Sequence, residues 1–334
     1  VRTLDEELDR RARDHGFSGV VRVDLRDEAP LARAYGLAER GLGVPNTTST
    51  RFGLASAAKG VTALTVGSLL EEGRLSLDTQ VRDLLRDDLP DVDDEVTVEH
   101  LLAHRSGIGD YLDEEEGFDP SDYVLPVPVH ELSTTEAYLP LLRGRRHKFR
   151  PGERFSYCNS GYVVLALVAE RAAGQPFHAL AEARVLGPAG MAGASFLRSD
   201  ELPGDVARGY LDRDGLRTNV LHLPVRGSGD GGLYASVGDV HLLWDALFAG
   251  RIAPDRWVAE LLRPRSDVPE ASRRYALGFW LHGERDAVIL EGFDAGVSFR
   301  SVHDRATDVT YTVVANDAHG AWPLARYLEE SLLR

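Results

Sequence analysis

Residues 56–73 read Ser56-Ala57-Ala58-Lys59-Gly60-Val61-Thr62-Ala63-Leu64-Thr65-Val66-Gly67-Ser68-Leu69-Leu70-Glu71-Glu72-Gly73. Apolar Val61, Leu64, Leu69 and Leu70 recur at helical spacing, which predicts a long helix from about Ser56 to Glu72. Gly73 closes it, because glycine takes the left-handed C-cap conformation without a Cβ clash. Ser56 and Lys59 then lie one turn apart on one face, with the amine in reach of the hydroxyl. A serine is a poor nucleophile until a base takes its proton. A lysine serves as that base only when burial or a nearby cation lowers its pKa, and arginine cannot serve at all. This chain has 38 basic residues, of which only Lys59 and Lys148 are lysines. The helix N-terminus adds free N–H groups that favour developing negative charge.

Two further stretches carry chemistry. Pro151-Gly152-Glu153-Arg154-Phe155-Ser156 leads into Tyr157-Cys158-Asn159. A tyrosine held near a cation can titrate low enough to shuttle protons, and an asparagine two residues on can donate to a substrate carbonyl. The same stretch also reads as a plain turn before a helix, with Asn159 or Ser160 as N-cap. Leu290-Glu291-Gly292-Phe293-Asp294-Ala295-Gly296 follows a predicted strand. Its glycine permits close backbone approach, so an edge strand here could offer an N–H to an oxyanion.

Working outward, strands are predicted at both chain ends: 19–25, 31–35, 276–281, 287–290, 297–302 and 309–315. Helices are predicted over 4–14, 97–103, 135–142, 160–173, 239–248 and 322–333. The fold class is therefore α+β. Residues 1–74 and 227–334 form a region with a central antiparallel sheet, residues 75–226 an inserted, mainly helical region, and the site is expected in the cleft between them. The chain has 334 residues, 43% of them hydrophobic, and a net charge of −15. That acidic balance argues against nucleic acid or an anionic membrane as partner. No apolar run approaches the roughly 20 residues of a spanning helix. The charged start, Val1-Arg2-Thr3-Leu4-Asp5, shows no signal-peptide core, which favours the cytoplasm; removal of a leader ahead of Val1 would allow export.

The three motifs together resemble the penicillin-recognising serine hydrolases, in particular the class C β-lactamase-related group of β-lactamases, DD-peptidases, D-aminopeptidases and esterases. Flanking phrases extend the resemblance from about Gly19 to Asn316: Leu70–Asp78, Thr97–Gly107, Ser160-Gly161-Tyr162, Gly187–Met191 and Gly231–Ser236. The resemblance implies a β-lactamase/transpeptidase-like fold and a hydrolase needing no cofactor or metal. It makes Ser56 the acylated nucleophile, Lys59 its activator and Tyr157 the general base. It gives Asn159 contact with Lys59 or the substrate amide, and the oxyanion hole to the backbone N–H groups of Ser56 and Phe293. The leading function is an esterase or D-amino-acid amidase/peptidase. The alternatives are a β-lactamase or DD-carboxypeptidase, or a penicillin-binding-like receptor that is acylated without turnover.

The third motif departs from the family. Lys or His usually opens it, and here Leu290, Glu291 and Gly292 stand in those places. Leu290 cannot grip a substrate carboxylate, and Glu291 and Asp294 are expected to repel one. Small-molecule or peptide esters and amides, neutral or cationic, are the expected substrates; oligomeric state is left open.

Other features have plainer readings. His100 and His104 stand four apart, but Leu101 replaces the Glu of an H-E-x-x-H motif and no third ligand is visible, so packing is expected. The acidic run Asp110, Asp113, Glu114, Glu115, Glu116 and Asp119 reads as a solvated loop, or as a lid selecting cations. The basic cluster 141–150, with Lys148, reads as surface loop, and Cys158 as a small buried filler.

Overall fold

The computed structural model describes residues 3–117, 119 and 122–333. Val1 and Arg2 of the charged start lie outside the described residues, as does the side chain of Glu116. The sheet draws strands from both chain ends. They are β1 (Gly19–Asp24), β2 (Leu31–Tyr35), β3 (Ser266–Val268), β4 (Arg273–Tyr275), β5 (Trp280–His282), β6 (Ala287–Asp294), β7 (Val297–Asp304) and β8 (Val309–Ala315). Their order is β2-β1-β8-β7-β6-β5-β4-β3, and every neighbouring pair is antiparallel. The longer helices are α1 (Leu4–Asp14), α2 (Ala58–Glu71), α3 (Asn159–Ala173), α4 (Val237–Phe248) and α5 (Ala321–Leu332).

Alternation along the strands sends side chains to two cores. Val21, Val23, Ile289, Val302, Tyr311 and Val313 share the outer core with Leu8 and Ala12 of α1 and Leu324 and Leu328 of α5. Val20, Val288, Leu290, Phe299 and Val314 face inward and join one continuous core with α2, α3, α4 and the helical region. Helix α2 runs through that core, with twelve of its fourteen residues buried. No helix among the described residues is long and apolar enough to cross a membrane.

Two departures from the sequence reading have local causes. The predicted strand 276–281 begins only at Trp280, because Gly278 turns the chain with φ +89°. A Cβ at Gly278 would meet the Ala63 Cβ of α2 at 2.3 Å, so this turn is pressed against the central helix. The long helix opens as a 3-10 turn, Ala55–Ala57, and becomes α-helical at Ala58. Beyond Leu290 the strand β6 continues through the third motif to Asp294.

Candidate active site

Ser56 lies in that 3-10 turn. The preceding Ala55 has φ +46°, the left-handed region, which costs a residue with a Cβ about 1–2 kcal/mol. Strand β6 closes against this turn. A Cβ at Gly292 would meet the Leu54 carbonyl oxygen at 2.1 Å and the Ala55 Cβ at 3.2 Å. Backbone cannot yield as a flexible side chain can, so the approach requires glycine.

Lys59 is 2% exposed. Its Nζ lies 2.9 Å from Ser56 Oγ, 2.8 Å from Asn159 Oδ1 and 2.7 Å from the Asp230 carbonyl oxygen. The last two partners can only accept, whereas a serine hydroxyl both donates and accepts. A neutral amine therefore gives its two N–H groups to the two carbonyls and turns its lone pair to Ser56. Burial drives the Lys59 pKa down, against the pull of the Asp230, Glu114, Asp110 and Asp294 carboxyls.

Tyr157 is half-buried beside Ser56, with Lys59 Nζ 4.9 Å from its ring centroid. Its titration runs opposite to the sequence expectation. Burial and the nearby Glu114 hold its pKa well above the ordinary 10, and a hydrogen bond with Ser56 only partly offsets them. Burial and Glu114 both favour the neutral phenol over the phenolate.

Asn159 opens α3 and does not cap it. Asp110 does so from the loop before, accepting the Asn159 N–H at Oδ2 (2.6 Å) and the Ser160 N–H at Oδ1 (2.8 Å). Burial nonetheless pushes the Asp110 carboxyl up to about 6. The Asn159 amide Nδ2 donates to the Leu112 carbonyl and to Glu114 Oε1, both at 3.1 Å. The intervening Cys158 is buried, which pushes its thiol pKa up.

Ser56 opens onto two cavities. The inner one, about 710 Å³, is lined by Glu114, Asp230 and Asp294 together with Tyr138, Leu197, Leu223 and Val225. The outer one, about 1200 Å³, is lined by Tyr157, Phe155, Trp280, Arg154, Glu270 and Glu291. Asp294 points inward, and burial raises its pKa to about 7 with help from Glu114 and Asp230.

In the third motif Leu290 needs correction, and Glu291 has a partner the sequence did not show. Leu290 is 4% exposed and packs in the inner core, its Cδ2 2.5 Å from where a Gly60 Cβ would stand; it lines neither cavity. Glu291 reaches the rim of the outer cavity, but its carboxylate pairs with Arg300 at 2.6 Å, and Arg300 in turn pairs with Glu329 of α5. Strand alternation explains both, since 290, 292 and 294 face inward and 291 faces α5. Phe293 shares the α5 face, its ring near His319 and Trp322. On β7 its register partner is Ser298, one step from the Asp294–Val297 pair at the hairpin turn.

The acidic run is solvated only in part: Glu114, Glu115 and Asp119 are exposed. Asp110 is buried, and Asp113 and Glu115 pair with Lys148 at 2.7 and 3.3 Å. Glu115 also accepts from Ser156 Oγ at 2.8 Å. Lys148, expected to be a free surface residue, is 21% exposed and clamps this loop over the site. His100 caps its own helix turn through Thr97, and among the described residues no group of three His, Cys, Asp or Glu could hold a metal.

The sequence reading had Asp110 and Glu114 only within an acidic loop or lid, and it missed Tyr111 and Asp230 as parts of the site. Asp230 acts on Lys59 through its carbonyl, a group every residue has, and Tyr111 donates to its carboxyl. The only sequence signal for them was their place inside the acidic run and beside Gly231-Gly232.

A family model described as Beta-lactamase matches residues 4–333. The chain is 30% identical over 333 residues to Esterase EstB of Burkholderia gladioli, spanning 88% of this chain and 81% of that protein. It is 29% identical over 280 residues to a D-aminopeptidase of Brucella anthropi, spanning 80% of this chain and 49% of that one. The crystal structure of a penicillin binding protein from Bacillus halodurans superposes with a TM-score of 0.91 at 34% identity, over 97% of this chain and 99% of that one. The fold that the resemblance implied is thus the fold observed.

Proposed function

This chain belongs to the β-lactamase family and is a serine hydrolase, and from that premise we propose that Ser56 is its acylated nucleophile, acting on neutral or cationic esters and amides. The observation that carries this is the Lys59 amine, buried and 2.9 Å from Ser56 Oγ, with two carbonyls engaging its other N–H groups. Lys59 takes the Ser56 proton as Oγ bonds to the substrate carbonyl carbon. The oxyanion falls to the backbone N–H groups of Ser56 and Phe293, on the helix-start turn and the β6 edge. Tyr157, neutral, donates its phenolic proton to the departing oxygen or nitrogen, and the proton gained by Lys59 restores it. Water then attacks the Ser56 ester while the same two groups carry its proton back to Ser56 Oγ.

The carboxyls of Glu114, Asp230 and Asp294 around the inner cavity disfavour an anionic acyl group and suit a cationic one. Tyr138, Leu197, Leu223 and Val225 add apolar area for its side chain. The test is a panel of p-nitrophenyl esters, D-amino-acid p-nitroanilides and nitrocefin. Neutral and cationic substrates are expected to turn over, with a loss of about a thousandfold or more in Ser56→Ala. Efficient nitrocefin turnover would contradict the substrate assignment, and full activity in Ser56→Ala would contradict the nucleophile.

A further inference from the structure

The Tyr157 phenol is held in place by a residue that has no part in the chemistry just described. His104 follows the short helix Val98–Leu102 and adopts φ +54°, a conformation uncommon outside glycine and enriched in Asn, Asp and His. It is 1% exposed. The Ser156 N–H donates to the His104 carbonyl oxygen at 2.9 Å. The Cys158 N–H donates to His104 Nδ1 at 3.0 Å. The imidazole lies against the Tyr157 ring, with centroids 4.2 Å apart. The residues on both sides of Tyr157, and its ring, thus rest on one side chain and its own backbone.

The imidazole is itself fixed. Its centroid lies 4.8 Å from those of both Tyr162 and Tyr275, and Tyr162 Oη is anchored on the Leu102 carbonyl at 2.7 Å. Because Nδ1 accepts, the ring proton sits on Nε2, which is buried without a hydrogen-bond partner. A second proton on Nδ1 would oppose the Cys158 donor. Burial holds its pKa well below 6.5, so the ring stays neutral, and any proton on Lys59 acts in the same direction.

We propose that His104 is the positioning residue for Tyr157: its carbonyl oxygen and Nδ1 hold the amides flanking Tyr157, and its ring sets the plane of the phenol. The proposal rests on Tyr157 acting in turnover as described above. Misplacement of a reacting group by about 1 Å costs on the order of a hundredfold in rate. Loss of the Nδ1 acceptor would leave the Cys158 amide buried and unpaired, and the chain would shift to repair it.

The experiment is a double-mutant cycle on p-nitrophenyl ester turnover. His104→Phe keeps a ring and removes the acceptor. It is expected to lower kcat about a hundredfold with KM within about threefold. In a Tyr157→Phe background the same change should cost less than about threefold, because no phenol remains to be placed. His104→Asn keeps an acceptor at the δ position and tolerates positive φ; it should hold kcat within about fivefold of the parent. Equal losses in both backgrounds would overturn the proposal. If His104→Phe does not fold, His104→Asn decides. Retained kcat supports the proposal, and a loss beyond about tenfold at an unchanged melting temperature overturns it. A fully active Tyr157→Phe enzyme would remove the role of Tyr157 itself, and the single variant shows that separately.

Discussion

On one wall of the site, Lys59, Asn159 and Tyr157 present side chains; on the other, β6 presents backbone around Gly292. The first wall is buried and wired. Each Lys59 N–H direction has a partner, both Asn159 amide hydrogens are engaged, and His104 brackets Tyr157. The second wall is set by a close approach. Gly292 lets the strand reach Leu54 and Ala55, while its neighbours alternate between core, ion pair and cavity. Side-chain chemistry fixes residue identity at a position, whereas a backbone wall fixes only size and register. Substitutions on the two walls should therefore fail in different ways.

The largest effect is expected on the first wall. Lys59→Arg puts a permanently charged group in place of the base, and should lower ester kcat about a thousandfold or more. Near-parental turnover in that variant would erase the distinction between the walls. Next, Gly292→Ala places a Cβ 2.1 Å from a backbone oxygen. It should lower kcat about a hundredfold by pushing β6 off the Ser56 turn, read by ester kinetics beside thermal unfolding.

Leu290→Lys restores the residue common in the family, yet the position is core. It should gain no nitrocefin hydrolysis, and should lower stability by about 3 kcal/mol or more through a buried, unpaired ammonium. A gain in β-lactam turnover would mean that the side chain can reach the cavity after all. The smallest effects separate the two carboxylates of this strand. Asp294→Asn should raise KM for a cationic ester about tenfold at pH 8 and less at pH 6, since the carboxyl ionises at about 7. Glu291→Gln, tied to Arg300, should stay within about threefold at either pH. The Asp294 carboxyl is raised from 3.8 to about 7 in the folded chain, so stability should fall as pH rises through that window. Asp294→Asn should flatten that part of the decline in a melting-temperature series.

What was legible follows the same division. The S-x-x-K and Tyr157/Asn159 motifs could be read because, taken with the third motif and the flanking phrases, they resemble one family; alone, each has a plainer alternative. Strands 31–35 and 309–315 were also readable, since apolar alternation is local. The last two strands of the sheet, β4 and the edge strand β3, were not. They are three residues each, carry Ser, Asp and Arg, and exist because β5 offers an edge to β4 and β4 offers one to β3. Helix 255–261 likewise has one buried residue, Leu261, to mark it. Within the site, Asp230 and His104 act through a carbonyl, a ring nitrogen and a backbone oxygen on residues far away in sequence. The pairing of Glu291 with Arg300 was not legible, because motif position does not reveal which face of a strand a side chain takes. Lys148 was misread because its partners, Asp113 and Glu115, belong to a loop whose place over the cleft is a tertiary fact.

The central claim is that Lys59 is a neutral amine when it meets Ser56. The protein contains only two lysines, so lysine labelled with ¹³C at Cε gives two titrating signals, assigned by Lys148→Arg. Lys148, held by Asp113 and Glu115, should titrate above 10.5. Lys59 should titrate below 10.5, and its midpoint should coincide with the acid limb of kcat/KM for a neutral ester. Two signals that both titrate at or above 10.5 would contradict the account.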